Sequence, residues 1–195
     1  QGSSMAHLKP GKYTAEQIMQ AMLVPSGNDA AFALAYNIGK KDLGDGYSAE
    51  KYVNYFVKNL SKYLADEGYN KTHLFDPSGF STQADTNLKD INRVALKLID
   101  YDFVKKCMGK SSFTIQTPQG EMNWKNTNEF LDPKSAFYNK DVKGIKTGTM
   151  ASSYNIVVLY EKNGKKYLIT CLASHTNEDR YKAVQAAINT IINKK

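Results

Sequence analysis

Two short stretches of this sequence hold side chains whose types and spacing could do chemistry. Lys146-Thr147-Gly148-Thr149 offers a cation, two hydroxyls and a residue without a Cβ, a set that would let an extended peptide lie along the edge of a strand. Ser26-Gly27-Asn28 offers a hydroxyl and a carboxamide that could relay a proton and hold an amide. Neither stretch is specific alone, because serine, glycine and asparagine are ordinary loop residues.

The flanking patterns predict which elements carry these stretches. Thr14 and Gln17 form a capping box for a helix in which Ile18, Met22 and the neighbouring Met19 line one face, ending at Val24-Pro25. Ser26 to Asp29 then reads as a short loop, followed by an alanine-rich helix from Ala30 to Ile38 that Gly39 closes. Ser48 caps a longer helix to about Ala65, with Tyr52, Phe56, Leu60, Tyr63 and Leu64 on one side and lysines opposite, ending near Gly68. Further helices are predicted from about Leu88 to Ile99 and from Phe103 to Met108.

From Ser112 the hydrophobic period changes to two. Phe113 to Thr117 and Glu121 to Lys125 flank Pro118-Gln119-Gly120 as a hairpin, and Tyr154 to Glu161 and Lys166 to Ala173 form a second one across Asn163-Gly164. Val142 to Thr149 reads as a third strand of the same antiparallel sheet. A final helix from about Glu178 to Ile192 would pack Tyr181, Val184, Ile188, Ile191 and Ile192 on it. Helices followed by an antiparallel sheet and a covering terminal helix make an α+β pattern, and 195 residues with 42% hydrophobic and 23% charged content fit one domain, residues 1–195.

Composition excludes several classes. No run of apolar residues approaches the roughly 18 that a membrane helix needs, residues 1–10 lack a signal-peptide pattern, and the chain is expected to be soluble as given. The formal charge of +7 comes from 26 Lys and Arg scattered along the chain without a basic block, so no nucleic-acid partner is expected, although a basic surface would suit work against an anionic cell wall. Cys107 and Cys171 lack metal-ligand spacing and read as buried, unpaired thiols. His7, His73 and His175 have no i, i+4 partner, so no metal and no cofactor is implied. Trp124 reads as strand packing rather than as a sugar platform.

Taken in order, S-x-N after a helix and K-T-G on a strand resemble the penicillin-recognising serine enzymes, whose motif set is S-x-x-K, S-D-N and K-T-G. Gly2-Ser3-Ser4-Met5, Leu8-Lys9-Pro10-Gly11, Thr14, Ser26-Gly27-Asn28-Asp29-Ala30-Ala31, Asn126-Thr127-Asn128 and Gly144-Ile145-Lys146-Thr147-Gly148-Thr149 are similar to the low-molecular-mass D-alanyl-D-alanine carboxypeptidases, penicillin-binding proteins related to class A β-lactamases. The similarity runs from residue 2 to about residue 183.

The resemblance implies a β-lactamase/transpeptidase-like α+β fold and a serine carboxypeptidase that removes the terminal D-alanine of peptidoglycan stem peptides through an acyl-enzyme that β-lactams trap. It implies that Ser26 passes protons to the leaving amine, Asn28 hydrogen-bonds the substrate amide, and Lys146 places positive charge beside Ser26. Thr147, Gly148 and Thr149 would bind the substrate strand and its terminal carboxylate, with the Thr149 N–H as half of an oxyanion hole. Arg180 matches a family arginine facing that carboxylate; its plain alternative is a surface arginine. An extracytoplasmic location follows from the family alone.

This sequence departs from the family pattern at Met150 and at Ser153-Tyr154, which replace a threonine and a pair of small residues. It departs further in lacking S-x-x-K before the S-x-N loop. Ser48-Ala49-Glu50-Lys51 comes after that loop and opens an amphipathic helix, so Ser48 reads as a helix cap, and Glu50 to Asn54 imitates a β-lactamase element only by coincidence. The expectation is an N-terminally incomplete piece of the catalytic domain, inactive alone, its membrane association residing elsewhere, with an exposed sheet edge open to dimerisation or strand exchange. A serine β-lactamase and a non-catalytic cell-wall-binding module are the alternatives.

Overall fold

The computed structural model describes residues 4–117 and 119–193; Gly2 and Ser3 of the opening motif and Pro118 of the first hairpin turn lie outside them. The chain is α+β and divides into two compact units. Of the described residues, one unit comprises those up to Asp90 and those within Thr114–Trp124, and the other comprises Ile91–Phe113 and 125–193.

In the first unit, helix α1 (Ala15–Leu23) begins at the predicted capping box, with Gln17 N–H donating to Thr14 Oγ1 and Thr14 N–H donating to Gln17 Oε1. Ile18 and Ala21 are its buried residues. Helix α2 spans Asn28–Leu43, so the alanine-rich helix begins two residues earlier and runs five residues further than its sequence pattern suggests. Gly39 does not end it: an added Cβ there would lie 2.2 Å from the Tyr52 carbonyl oxygen. The glycine serves close helix approach, and the C-cap is Gly44 at φ 78°.

Helix α3 (Ala49–Asp66) starts at Ser48, whose hydroxyl accepts from Lys51 N–H, which is the cap predicted for that serine. Tyr52 is its buried residue, stacked edge-on against Tyr36 at 5.4 Å and donating its hydroxyl proton to Gly44 O at 2.8 Å. Tyr63, expected on the apolar face, is instead 46% exposed near the end of the helix. Trp124 is buried and donates its indole N–H to Ala6 O at 2.9 Å, as packing rather than as a platform.

Helix α4 (Leu88–Leu98) passes from the first unit into the second, and α5 (Asp102–Met108) follows. Strands β1 (Ser112–Thr117) and β2 (Gly120–Lys125) form the expected hairpin. Strands β3 (Val142–Met150), β4 (Ser153–Lys162) and β5 (Lys165–Ser174) make an antiparallel sheet in that order, and helix α6 (Asn177–Asn193) lies on it. The β4–β5 turn has Asn163 at φ 51° and Gly164 at φ 73°, the left-handed pair that a two-residue hairpin requires.

Alternation on β4 sends Ile156, Val158 and Tyr160 to one face, where Phe130, Leu131, Tyr181, Val184 and Ile188 complete the core. Burying each large apolar side chain there contributes about 1.5–3 kcal/mol. Ile192, expected on this face, is 52% exposed in the last turn of α6 and lies outside the core cluster. Cys107 is buried and outside any disulfide; Cys171 is only half-buried, with Sγ 3.1 Å from Ser174 Oγ. No described helix is long and apolar enough to cross a membrane.

Candidate active site

In the first unit, Pro25 follows the end of α1, and Gly27 N–H donates to Ala21 O at 3.2 Å, folding the chain back on that helix. Gly27 has no room for a side chain, since a Cβ would sit 2.6 Å from Ala21 O and 2.7 Å from Ala6 Cβ. Ser26 is held at φ 61°, left-handed backbone that costs a non-glycine residue on the order of 1 kcal/mol or more. Asn28 is the first residue of α2 rather than part of a loop, and its N–H donates to Ser4 O at 2.9 Å. Asp29 locks the arrangement by accepting from Ala6 N–H at 2.8 Å and Leu8 N–H at 3.0 Å. An aspartate in a helix's first turn was the signal for this role.

In the second unit, Lys146, Thr147, Gly148 and Thr149 pair with Val157, Ile156, Asn155 and Tyr154 of β4. Among the described residues β3 has β4 as its one strand neighbour, the other edge carrying no strand, and α5 packs against the start of β3. Gly148 is exposed, and a Cβ there would meet Asn155 Cβ at 3.8 Å, an ordinary contact. Packing therefore does not require this glycine.

Strand alternation puts Thr147 and Thr149 on one face, toward α6. Thr147 is buried and shares a 2.6 Å hydrogen bond with Thr127 Oγ1. Thr149 Oγ1 accepts from Arg180 at 2.9 Å, and the same guanidinium nitrogen reaches Gly148 O at 3.3 Å and Asn155 O at 3.2 Å. Arg180 is 5% exposed, which overturns its reading as a surface arginine: α6 turns it inward over the strand. Lys146 donates to Thr147 O at 2.9 Å, and burial followed by the positive charge of Arg180 holds its ammonium down to about 8.

A second tier of residues fixes this strand. The Tyr181 hydroxyl accepts from Glu129 N–H at 3.0 Å and donates to Thr127 O at 3.3 Å, so neighbouring residues of α6 steady Thr147 and Thr149. Asn126 donates to Lys110 O at 2.9 Å and accepts from Asn128 N–H at 2.9 Å, fixing the segment on either side of Thr127. The sequence marks Tyr181 only as an apolar helix position, because nothing in a helical period distinguishes a buried ring from a buried ring with a working hydroxyl. The structure thus gathers Lys146, Thr147, Gly148, Thr149 and Arg180 in one unit, and Ser26 and Asn28 in the other.

A family model for D-alanyl-D-alanine carboxypeptidase matches residues 1–176. The chain belongs to the D-alanyl-D-alanine carboxypeptidase family. It is 32% identical over 181 residues to the D-alanyl-D-alanine carboxypeptidase of Streptomyces sp. strain K15, covering 88% of this chain and 58% of that protein. With the carboxypeptidase DacF of Bacillus subtilis strain 168 it shares 25% identity over 92% of this chain and 43% of the relative. The chain thus spans about half the length of the curated family members it matches. The crystal structure of the Streptomyces K15 DD-transpeptidase superposes with a TM-score of 0.81 at 26% identity, over 96% of this chain and 71% of that one. The fold is accordingly that of the DD-transpeptidases, the β-lactamase-like α+β fold expected from the motif order.

Proposed function

We propose that this protein is a serine-type D-alanyl-D-alanine carboxypeptidase acting on peptidoglycan stem peptides outside the cytoplasm, and that residues 1–195 belong to one catalytic domain. The observation that carries the reading is the β3 edge. A glycine that packing does not need keeps the strand's exposed side clear, beside a cation and two hydroxyls held from behind. A substrate strand laid along that edge would gain backbone hydrogen bonds, and its terminal carboxylate would meet Thr147, Thr149 and the charge of Arg180. Arg180 acts through Thr149, whose hydroxyl it already holds.

In the proposed reaction a serine oxygen attacks the carbonyl carbon of the penultimate D-alanine, and the developing oxyanion is met by the Thr149 N–H. The C–N bond then breaks. Ser26, held on a strained and rigid turn, passes a proton to the leaving amine, while Asn28 holds the substrate amide and Lys146 supplies positive charge. Water next attacks the ester, releasing the shortened peptide and restoring the serine hydroxyl. The nucleophile is assigned to sequence outside these residues, since Ser48, the serine of the chain's one S-x-x-K, has its oxygen engaged as a helix cap. A β-lactam would enter as the substrate does and remain as a slowly hydrolysed ester.

The test uses the full-length protein, a D-alanyl-D-alanine peptide and penicillin. D-alanine release together with a stable penicilloyl adduct is the expected result. Absence of both signals would refute the proposal, and rapid turnover of the adduct would identify a β-lactamase instead. Intact mass spectrometry of the 195-residue chain with penicillin should give no adduct; modification at Ser26 or Ser48 would overturn the assignment of the nucleophile.

A further inference from the structure

The lysines that look scattered along the sequence converge in the second unit. Two adjoining surface hollows, of about 510 and 270 Å³, share Lys143, Glu161 and Lys166. Their linings together hold seven lysines and two carboxylates, an excess of five positive charges in a chain whose formal net charge is +7. The convergence is built by the fold. The end of α5 abuts the start of β3, where a Cβ on Gly109 would lie 3.1 Å from Lys143 O, and this contact brings Lys106 and Lys110 beside Lys143. The β4–β5 turn adds Lys165 and Lys166 from the far side.

Internal pairing offsets only part of this charge. Lys105 pairs with Asp102 at 3.2 Å, Lys166 with Glu161 at 3.7 Å, and Lys162 with Asp141, a carboxylate outside both linings, at 2.5 Å. Among the described residues, Lys106, Lys110, Lys143 and Lys165 have no carboxylate in salt-bridge reach, and all four are exposed. Like charges gathered on a concave surface repel one another and focus a positive potential into the hollow, which an anion entering it would relieve.

We propose that these hollows bind a phosphodiester-linked polyanion, with successive phosphates seated between the α5 lysines and those of the β4–β5 turn. Lysine ammonium groups act as mobile point charges for phosphate, and several anchoring points favour a polymer over a single ion. Among the described residues no aromatic ring lines either hollow, so the stacking platform of a single-stranded nucleic-acid site is lacking. The concavity fits a chain of separate phosphates better than a flat membrane surface. This site is independent of the carboxypeptidase reading.

The test measures binding of a fluorescent poly(glycerol phosphate) oligomer to the protein by anisotropy across a salt series. Binding is expected to weaken steadily with salt. The triple variant Lys106→Glu/Lys110→Glu/Lys143→Glu is expected to bind roughly a hundredfold more weakly, at about 1 kcal/mol per lysine. The charge-matched control Lys12→Glu/Lys41→Glu/Lys58→Glu, on exposed lysines of the first unit, should retain most of the affinity. If the triple variant fails to fold by circular dichroism, the single variants Lys106→Gln, Lys110→Gln and Lys143→Gln replace it, each expected to lose about fivefold. Equal losses in the control and the test variants, absence of binding at low salt, equal affinity for a DNA homopolymer, or binding to anionic vesicles alone would each overturn the proposal.

Discussion

Gly39 and Gly148 are the same residue under opposite constraints. Gly39 lies where α2 meets the backbone of α3, and any side chain would strike the Tyr52 carbonyl group. Gly148 lies on a strand edge with open space before it and an ordinary contact behind it. The first glycine is fixed by the fold, whereas the second is dispensable to packing, and the proposed function gives it a value in what approaches from outside. Telling the two apart needs only the position of an absent Cβ.

Substitution tests this contrast most sharply at Gly39. Gly39→Ala should lose about 3 kcal/mol of stability, read as a lower urea midpoint at unchanged slope, because backbone rather than a flexible side chain opposes the new methyl group. Gly148→Ala should leave the urea midpoint within about 0.5 kcal/mol of the parent, yet slow penicillin acylation of the full-length protein about tenfold, or 1.4 kcal/mol. A stability loss at Gly148 as large as that at Gly39 would erase the distinction.

Tyr181→Phe probes the support behind the strand. It removes the partner of Glu129 N–H and Thr127 O while keeping the ring in the core, and should cost about 1 kcal/mol in stability. If Thr147 depends on Thr127 for its placement, the apparent affinity for substrate should weaken in the same variant, whereas Thr190→Val on the outer surface of α6 should change neither.

The last expected effect is the pH response of Lys146. Its ammonium titrates near 8 in the folded chain against the ordinary 10.5, so between those values the unfolded chain binds more protons and stability should rise with pH. Urea midpoints at pH 7, 9 and 10 would show that rise, and Lys146→Met should flatten it. An unchanged slope in Lys146→Met would locate the titration elsewhere.

Elements whose signals are local were legible in the sequence. The Thr14–Gln17 capping box, the Ser48 cap, the Asn163-Gly164 hairpin and the three strands of the α6 sheet all stand where their patterns put them. K-T-G was legible as a strand, and the family followed from its order relative to S-x-N. What failed was any inference about approach between distant residues. Gly39 looked like a helix end because glycine signals both termination and close contact. Arg180 was singled out by the family resemblance alone, its own pattern leaving a surface position equally open, and the lysine hollows depend on the meeting of α5, β3 and a hairpin turn, which no window of sequence contains.

The left-handed backbone of Ser26 has an evolutionary corollary. Glycine would adopt the same geometry without strain, so a serine at position 26 is kept at a backbone cost. On the proposed role of Ser26, a lineage keeping serine there would be under selection for the hydroxyl. In a relative that had given up its chemistry, position 26 should be among the first to drift.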